Sequence, residues 1–383
     1  MSAPAAPTAL VAHAAWRPAS GPATYATQHL RGRAAFDWLA DEWNELLARG
    51  PCDLPFVRHE WLSAWLDAFA PGENLLVVTA RDGSGRLVGA APFLRERRLG
   101  VTRLVAPAND HSCRFEWALG EDATGAAAAL WHHLRTRLRW DVLLLRDLPR
   151  DGPTAAVLPA LAAADGHLTG SWESMRSPWL TLGGQPVEER ASAKFRANLR
   201  RRLRRLGELG AVSVRRAAEG PEARAMLAQF LELEAAGWKG ARGTAIAADE
   251  RTRAFYERLV EVAAARGWLA LRALELDGRP VAMHLGLVYR GTYYLPKPAY
   301  DEALGACSPG QLLFREVVGE CEARGLGALD LLGPDMPWKR DWEPHHRPHD
   351  WVYVYRPGLA GRTLHAVKHR VKPLAKEVLG WWR

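Results

Sequence analysis

An internal repeat is the feature that most constrains how this sequence folds. Four short motifs recur in the same order, about 190 residues apart. The pairs and their offsets are Arg86 to Ala90 with Arg279 to Met283 (193), Pro107 to Asp110 with Pro298 to Asp301 (191), Asp141 to Leu144 with Asp330 to Leu332 (189), and Asp147 to Pro149 with Asp335 to Pro337 (188). Four ordered matches with a slowly changing offset indicate a tandem duplication of one structural unit.

Each copy reads as a hairpin, a strand, a helix and a final buried strand. In the first copy these elements fall near 74–96, 102–110, 126–138 and 140–149. In the second copy three strands cover 269–295, with hairpin turns at Asp277-Gly278 and Arg290-Gly291. A helix then starts at Ser308-Pro309, and 326–335 is a buried strand and its exit. The pattern predicts an α/β (α+β) fold of two lobes.

The domain limits follow from the repeat and from breaks in composition. We expect an Ala/Pro-rich arm over 1–30, a first lobe over 31–187 and a second lobe over 188–358. A basic amphipathic helix is predicted over 359–383. The boundary between the lobes lies near Gly183 to Pro186.

Charge is concentrated in two basic stretches. The net charge is +8, yet residues 190–216 alone contribute +9 and residues 356–383 contribute +6, which leaves the remainder at −7. Such stretches favour an anionic partner: a phosphate-bearing cofactor, RNA or a membrane surface. The tail ends in Trp381-Trp382, so 362–383 is predicted either to lie on an anionic membrane or to dock on its own domain.

Several classes are excluded. No run approaches the ~20 apolar residues that span a bilayer, and the N-terminus lacks a signal peptide. The four cysteines form no CxxC pair, which argues against zinc or a disulfide scaffold. We therefore expect a cytoplasmic protein without a metal. The polar run His345 to Asp350 is predicted to be a solvated loop rather than a metal site.

The segment Cys307 to Leu312 is the candidate phosphate site. A helix N-terminus offers free N–H groups, and Gly310 would let an anion approach the backbone. An ordinary Ser-Pro helix cap is the simpler interpretation of the same residues. No Walker A, G-x-S-x-G or H-E-x-x-H motif occurs.

Asp330 and the arginine helix are also ambiguous. A carboxylate inside an apolar strand must be paired or its pKa rises, so Asp330 is either structural or a base. In 194–205 the arginines face away from an apolar stripe. They either form a solvated face or contact a polyanion, and no aromatic residues are interleaved for RNA bases.

Several segments of the sequence together resemble a known family. Its motifs are similar to those of the GNAT acyltransferase fold, duplicated as in the Fem-like aminoacyl transferases. The closest resemblance is to GNAT-like acetyltransferases associated with cellulose and exopolysaccharide biosynthesis. The resemblance rests on these segments: 194–201, Glu234 with 237–240, 277–282, 300–301, 308–313, and 330–333 with 338–339.

The resemblance implies two tandem lobes, each a mixed, mostly antiparallel sheet flanked by helices. It also implies a cytoplasmic acyl-CoA-dependent N- or O-acyltransferase, peripheral on the inner membrane face if 362–383 contacts lipid. Acetyl-CoA or another acyl-CoA would lie in a V between two central strands. The acceptor would be a small molecule or a lipid-linked sugar or amine precursor, with no DNA involved.

The implied site residues fall into three groups. The catalytic candidates are Asp330, Lys339 and Asp301. The donor would contact Tyr294, Leu295, Ser308, Gly310, Gln311 and Leu312. The acceptor would contact Glu234, Trp238, Lys239, Tyr300 and Trp338.

Two alternatives stay open. One is a Fem-like transferase that uses aminoacyl-tRNA and acts on a cell-wall precursor; the basic helix favours it, while the missing coiled-coil arm does not. The other is a non-catalytic, membrane-associated assembly protein. Departures from the GNAT pattern favour the latter, because only one glycine lies in the phosphate loop and no tyrosine follows the last core strand before Tyr353.

Overall fold

The structure, a computed structural model, describes residues 25–72 and 74–371. The chain divides into two units. Within the described residues, the first unit comprises 25–175 and 348–371, and the second unit comprises 176–347. The division thus passes through two strands, β7 at 175/176 and β13 at 347/348. The sequence instead predicts lobe limits at 187/188 and 358/359. Most of the N-terminal arm lies outside the described residues.

The strands are β1 (Ala26–Arg31), β2 (Leu75–Arg81), β3 (Leu87–Arg98), β4 (Val101–Val105), β5 (Ala118–Leu119), β6 (Val142–Pro149), β7 (Leu168–Thr181), β8 (Val212–Ala217), β9 (Leu269–Leu276), β10 (Arg279–Tyr289), β11 (Thr292–Tyr300), β12 (Ala328–Asp330) and β13 (His345–Tyr355).

The α-helices are α1 (Arg33–Asp37), α2 (Ala40–Arg49), α3 (His59–Phe69), α4 (Ala123–Arg137), α5 (Pro153–Ala164), α6 (Val187–Arg190), α7 (Ala193–Gly207), α8 (Gly220–Ala236), α9 (Trp238–Ala241), α10 (Glu250–Ala265), α11 (Pro309–Ala323), α12 (Pro337–Arg340) and α13 (Leu359–Ala366).

In the second unit the sheet order is β7-β12-β11-β10-β9-β8. Neighbouring strands are antiparallel except β11 and β12, which are parallel. Both predicted hairpin turns are present: Asp277 and Gly278, like Arg290 and Gly291, have positive φ, as a two-residue turn between twisted strands requires. Helices α7 and α11 bury Leu199 and Phe314 in one core with the sheet, and α8 and α10 also pack on its strands.

In the first unit the order is β1-β2-β3-β4-β6-β13, and β5 pairs with β3. Again all pairs are antiparallel except one, β4 with β6. Helix α4 packs against β2 and β3, where Ala126, Ala127 and Leu130 are buried. Each unit is therefore a mixed, mostly antiparallel sheet with helices, as predicted.

The two units share one topology. An antiparallel strand pair, a helix and a strand parallel to the second of the pair occur as β3-β4-α4-β6 and as β10-β11-α11-β12. The strand registers correct the sequence alignment of the repeat. Val105 pairs with Leu144, and Tyr294 pairs with Asp330, so Asp330 occupies the position of Leu144 rather than that of Asp141.

The solvated loop expected at His345 to Asp350 is wrong, because these residues begin strand β13. His349 is fully buried and its Nε2 accepts a hydrogen bond from Arg114 Nε (3.1 Å). Asp350 receives two hydrogen bonds from Arg150 (2.9 and 2.7 Å). The polar composition that suggested a loop therefore belongs to a strand whose side chains meet polar partners.

The first part of the predicted tail helix is present as α13 and a π-helical turn over Val367–Val371. It packs on the first unit, where His365 Nε2 donates to Thr169 O (3.2 Å) and Tyr355 Oη lies 3.0 Å from His369 Nε2. This contact fits docking on its own domain. Residues 372–383, with Trp381-Trp382, lie outside the described residues.

Candidate functional site

The two parallel strands of the second unit separate after a short contact. Only Thr292, Tyr293 and Tyr294 of β11 pair with β12, which ends at Asp330. Strand β11 continues to Tyr300 and there pairs with β10 alone among the described residues. Of the predicted donor residues, Tyr294 and Leu295 lie where the strands part, and both are buried.

Helix α11 follows this separation and begins without a side-chain cap. Ser308 adopts the left-handed conformation (φ 47°), and its hydroxyl donates to Gly305 O (3.2 Å) instead of accepting from the helix. The prediction that the Ser308 side chain caps the helix is therefore wrong, although the helix starts at Pro309 as predicted. The N-terminus of α11 keeps its positive end free of a capping side chain.

Gly310 is the second residue of α11. A Cβ atom built on it would lie 3.6 Å from Cδ1 of Tyr300, an ordinary contact. The Tyr300 ring, 41% exposed, thus lies over the start of the helix. The structure thus places Tyr300, which the sequence assigned to the acceptor, beside Gly310, which it assigned to the donor.

The Gln311 side chain has a structural role. Its Nε2 donates to Trp338 O (2.8 Å), and its Oε1 accepts from Trp342 Nε1 (2.7 Å). These bonds fasten α11 to the segment around α12. The predicted donor residue Gln311 therefore has its amide engaged within the unit, and Leu312 lies in the core.

Asp330 and Lys339 lie on either side of one tight turn. Asp330 Oδ1 accepts from Leu332 N (3.0 Å), and Oδ2 lies 3.5 Å from Arg347 Nη1. Lys339 Nζ donates to the carbonyl oxygens of Leu332 (2.6 Å) and Pro334 (2.9 Å). Burial lowers the pKa of Lys339 to about 8, while the charges of Asp330 and Asp335 oppose that change. Both side chains are buried and hold the turn that ends β12.

Asp301 is separate from this pair. Its Oδ1 accepts from Ala303 N (3.0 Å) and caps the 3-10 helix Glu302–Cys307, and its Oδ2 accepts from Arg279 (2.9 Å). Asp301 therefore bonds to groups other than those that Asp330 and Lys339 contact at the turn after β12.

Glu234 and Lys239 form a salt bridge, here called the clasp, at the end of α8, in which Glu234 is buried and Lys239 is partly exposed. Lys239 Nζ donates to Glu234 Oε1 (2.6 Å) and lies 3.4 Å from Pro298 O on β11. Glu234 Oε2 accepts from Ile246 N (2.8 Å). The predicted acceptor residues Glu234 and Lys239 therefore reach the strand that bears Tyr300. Trp238 begins the short helix α9, which contains Lys239.

Sequence reasoning missed a polar cluster beneath α11. Arg272 donates to Glu320 through Nε (2.8 Å) and Nη2, and Arg216 also reaches Glu320 (2.9 Å). Burial raises the pKa of Glu320, but its bonds from Arg272, Arg216 and Arg324 outweigh this and lower it to about 2. Arg272 lies opposite His284 on β10. Only the isolated charges inside apolar strands could have signalled this cluster.

Near this Arg272–Glu320 cluster, two polar groups are buried without a hydrogen-bond partner in the described structure. These are Nδ1 of His284 and the hydroxyl of Tyr293. Burial, helped by Arg272, lowers the pKa of His284 to about 3, so this imidazole is neutral at physiological pH.

Within 25–72 and 74–371, no group of three or more His, Cys, Asp or Glu residues could hold a metal ion. In the same ranges no helix is long and apolar enough to cross a membrane.

Comparisons with known proteins point to one fold. Residues 193–340 match the acetyltransferase (GNAT) domain family. The solved structure of FemX is 12% identical over 89% of this chain and 99% of its own, with a TM-score of 0.60. The C-terminal domain of a protein assigned as a lysylphosphatidylglycerol synthetase from Agrobacterium fabrum is 11% identical over 87% and 96%, with a TM-score of 0.52.

A third structure, L-PGS from Bacillus licheniformis, is 13% identical over 86% of this chain and 96% of its own, with a TM-score of 0.51. At these identities the likeness concerns the fold. No curated protein matches the sequence.

Proposed function

We propose that this chain, which has the tandem GNAT fold, is an acyl-CoA-dependent N- or O-acyltransferase whose donor site lies in its second unit. The single observation that carries the proposal is the junction of β11, β12 and α11. There a strand edge without a sheet partner in the described residues leads to a helix N-terminus that no side chain caps.

The geometry of this junction fits an acyl-CoA. The N-terminus of α11 would hold the diphosphate, because the Gly310 N–H and the helix dipole both favour negative charge. The next two N–H groups, of Gln311 and Leu312, already donate to Ser308 O (3.0 and 3.2 Å). Gly310 would allow close approach, and Tyr300 would line the entrance. The pantetheine arm would follow the edge of β11 past Leu295, between the separating strands.

The donor supplies an activated thioester as substrate. The acceptor nitrogen or oxygen forms a bond to the acyl carbon, the C–S bond breaks, and the thiolate takes up the proton that the acceptor loses. Backbone N–H groups on β11 would stabilise the oxyanion. Asp330 and Lys339 would act as positioning residues, since they fix the turn after β12 through Leu332 and Pro334.

We propose an acceptor from cell-envelope or polysaccharide precursors, or a small amine. The clasp of Glu234 and Lys239 would shape its binding region, since it contacts β11 at Pro298, near Tyr300. The indole of Trp338 would line the same acceptor-binding region, because it packs edge-to-face on Phe314 of α11 (5.6 Å between centroids).

A second candidate is a Fem-like transferase that takes an amino acid from aminoacyl-tRNA. The arginine-rich outer side of α7 favours it, since RNA binding depends on phosphate contacts. A tRNA affinity that falls steeply with salt, in a protein that binds no acyl-CoA, would support this candidate over the first.

Calorimetric titration with acetyl-CoA at near-physiological salt tests the proposal, with desulfo-CoA and ATP as controls. We expect micromolar binding of both CoA ligands and at least tenfold weaker binding of ATP. Absence of heat with both CoA ligands would contradict the donor assignment.

A further inference from the structure

The outer side of α7 is a continuous cationic surface. Its exposed residues, here called the α7 arginine face, are Lys194, Arg200, Arg201, Arg204 and Arg205. The opposite side of the same helix, with Phe195, Leu199 and Leu206, is buried in the core of the second unit. The helix is thus fixed by its apolar side, and its cationic side is left for solvent or a partner.

Few carboxylates of the described residues lie near the arginine face, although Arg200 lines a pocket with Glu188, Glu189 and Glu322. Arg204 lies 3.9 Å from Glu208, and both side chains are mostly exposed, at 76% and 66%. Within the described part of the chain, the other four members of the face have no ion pair to a carboxylate. Arg200 with Arg204, and Arg201 with Arg205, are spaced i, i+4, so they repel each other and destabilise the helix. Core packing alone would not require this arrangement.

We propose that the α7 arginine face docks the protein on an anionic phospholipid surface. Four to eight basic residues on one side of an amphipathic helix match the charge of such a surface. Guanidinium groups also bind phosphate oxygens in pairs, which suits phosphodiester headgroups. The face has no partner assigned by the donor chemistry, and the inference is independent of the proposed transferase activity.

The shape of the face favours a lipid surface over RNA. A helix of 15 residues is about 22 Å long and presents a convex ridge. Its only aromatic residue, Phe195, is buried, so no ring is available on α7 to stack on single-stranded bases. The major groove of duplex RNA is too deep and narrow for such a ridge. Leu209, 55% exposed just beyond the helix, adds an apolar contact suited to the headgroup region.

Because the apolar side of α7 is already buried, this docking is electrostatic and does not need insertion of the helix. Each cation near an anionic membrane then contributes about a fivefold gain in affinity. The attraction falls within a Debye length, so binding weakens strongly with salt.

Vesicle sedimentation of the full chain, without any acyl-CoA, tests the proposal. The vesicles are phosphatidylcholine alone or phosphatidylcholine mixed with anionic phosphatidylglycerol. The test variant is Arg201→Glu with Arg205→Glu. The matched control is Arg137→Glu with Arg139→Glu, which makes the same charge change at exposed arginines of the first unit.

We expect wild type and control to bind the anionic vesicles and to ignore neutral ones. The test variant should lose about 25-fold or more in affinity, the product of two fivefold terms. Its thermal unfolding should stay close to that of wild type, because both positions are exposed and one like-charge pair replaces another. Equal losses in test and control variants would reduce the effect to net charge and overturn the proposal. So would unimpaired binding by the test variant, or wild-type binding to duplex RNA but not to anionic vesicles.

Discussion

The two helices that follow the central strand of each unit differ at their first turn. In the first unit, Asp122 caps α4: its Oδ1 accepts from Gly125 N (3.0 Å), and its Oδ2 accepts from the Tyr25 hydroxyl (2.7 Å). In the second unit, Ser308 leaves the start of α11 uncapped. A carboxylate occupies the capping position in one unit, while no side chain occupies it in the other.

The two units also differ in what lies beside their parallel strands. After β4, the chain folds back so that Phe115 N donates to Asp147 O (3.4 Å) and Trp117 is fully buried. Glu116 anchors this segment, since its carboxylate accepts from Trp117 N (3.1 Å) and Thr154 N (3.2 Å). In the first unit a buried segment thus lies beside the end of β6, whereas in the second unit the edge of β11 has no sheet partner in the described residues.

Replacing Trp117 with alanine disrupts the buried packing of the first unit and should have the largest effect on stability. Loss of a fully buried indole leaves a cavity, so the free energy of unfolding should fall by about 3–5 kcal/mol. Urea denaturation measures the loss. Acetyl-CoA affinity should change less than twofold, and a tenfold loss would show that the first unit takes part in donor binding.

Replacing Glu320 with glutamine tests the charged cluster beneath α11. In the first unit, α4 instead packs on its sheet with mostly apolar side chains and with His133, whose ring lies 3.0 Å from that of His29. The pKa of Glu320 is about 2, below its ordinary value of 4.5, so its stabilisation is complete above pH 4.5 and is lost as pH falls toward 2. We expect the variant to lose about 3 kcal/mol at pH 7 and to show a shallower decline of stability in acid.

Thermal unfolding between pH 3 and 7 is the measurement for Glu320→Gln. The same acid-dependent slope in variant and wild type would contradict the assigned pKa. Glu188→Gln, which removes a more exposed partner of Arg315 (2.8 Å), is a matched control and should cost under about 1 kcal/mol.

The smallest effects are expected from the two helix starts. Asp122→Ala should cost about 1 kcal/mol, because a real cap is lost. Ser308→Ala should cost less than about 0.5 kcal/mol, because the Ser308 hydroxyl makes no cap contact. Equal costs in chemical denaturation would contradict the contrast between the two helices.

The sequence was sufficient to predict elements whose limits are set by local residues. The hairpins at Asp277-Gly278 and Arg290-Gly291 and the start of α11 at Pro309 have local causes: turn residues with positive φ, and proline in the first helical turn. Strand β13 was missed because His349 and Asp350 are buried by polar partners from distant segments.

The site was less predictable than the fold, because contacts rather than residue types decide each role. Lys339 looks like a catalytic group in the sequence, but its ammonium is committed to backbone carbonyls. Asp301 caps a 3-10 helix, and Gln311 fastens α12. The left-handed conformation of Ser308 could not be read from a Ser-Pro pair, which usually indicates a capping serine.

The most direct test of the account compares Gly310→Asp with Thr124→Asp by titration with acetyl-CoA. Each substitution places a carboxylate at the second residue of the corresponding helix, α11 or α4, where it suits the helix dipole. Space for the new Cβ exists at Gly310, 3.6 Å from the Tyr300 ring. Repulsion of the diphosphate should weaken binding about 100-fold in Gly310→Asp and leave Thr124→Asp like wild type. Equal affinities in both variants would contradict a donor site at the start of α11.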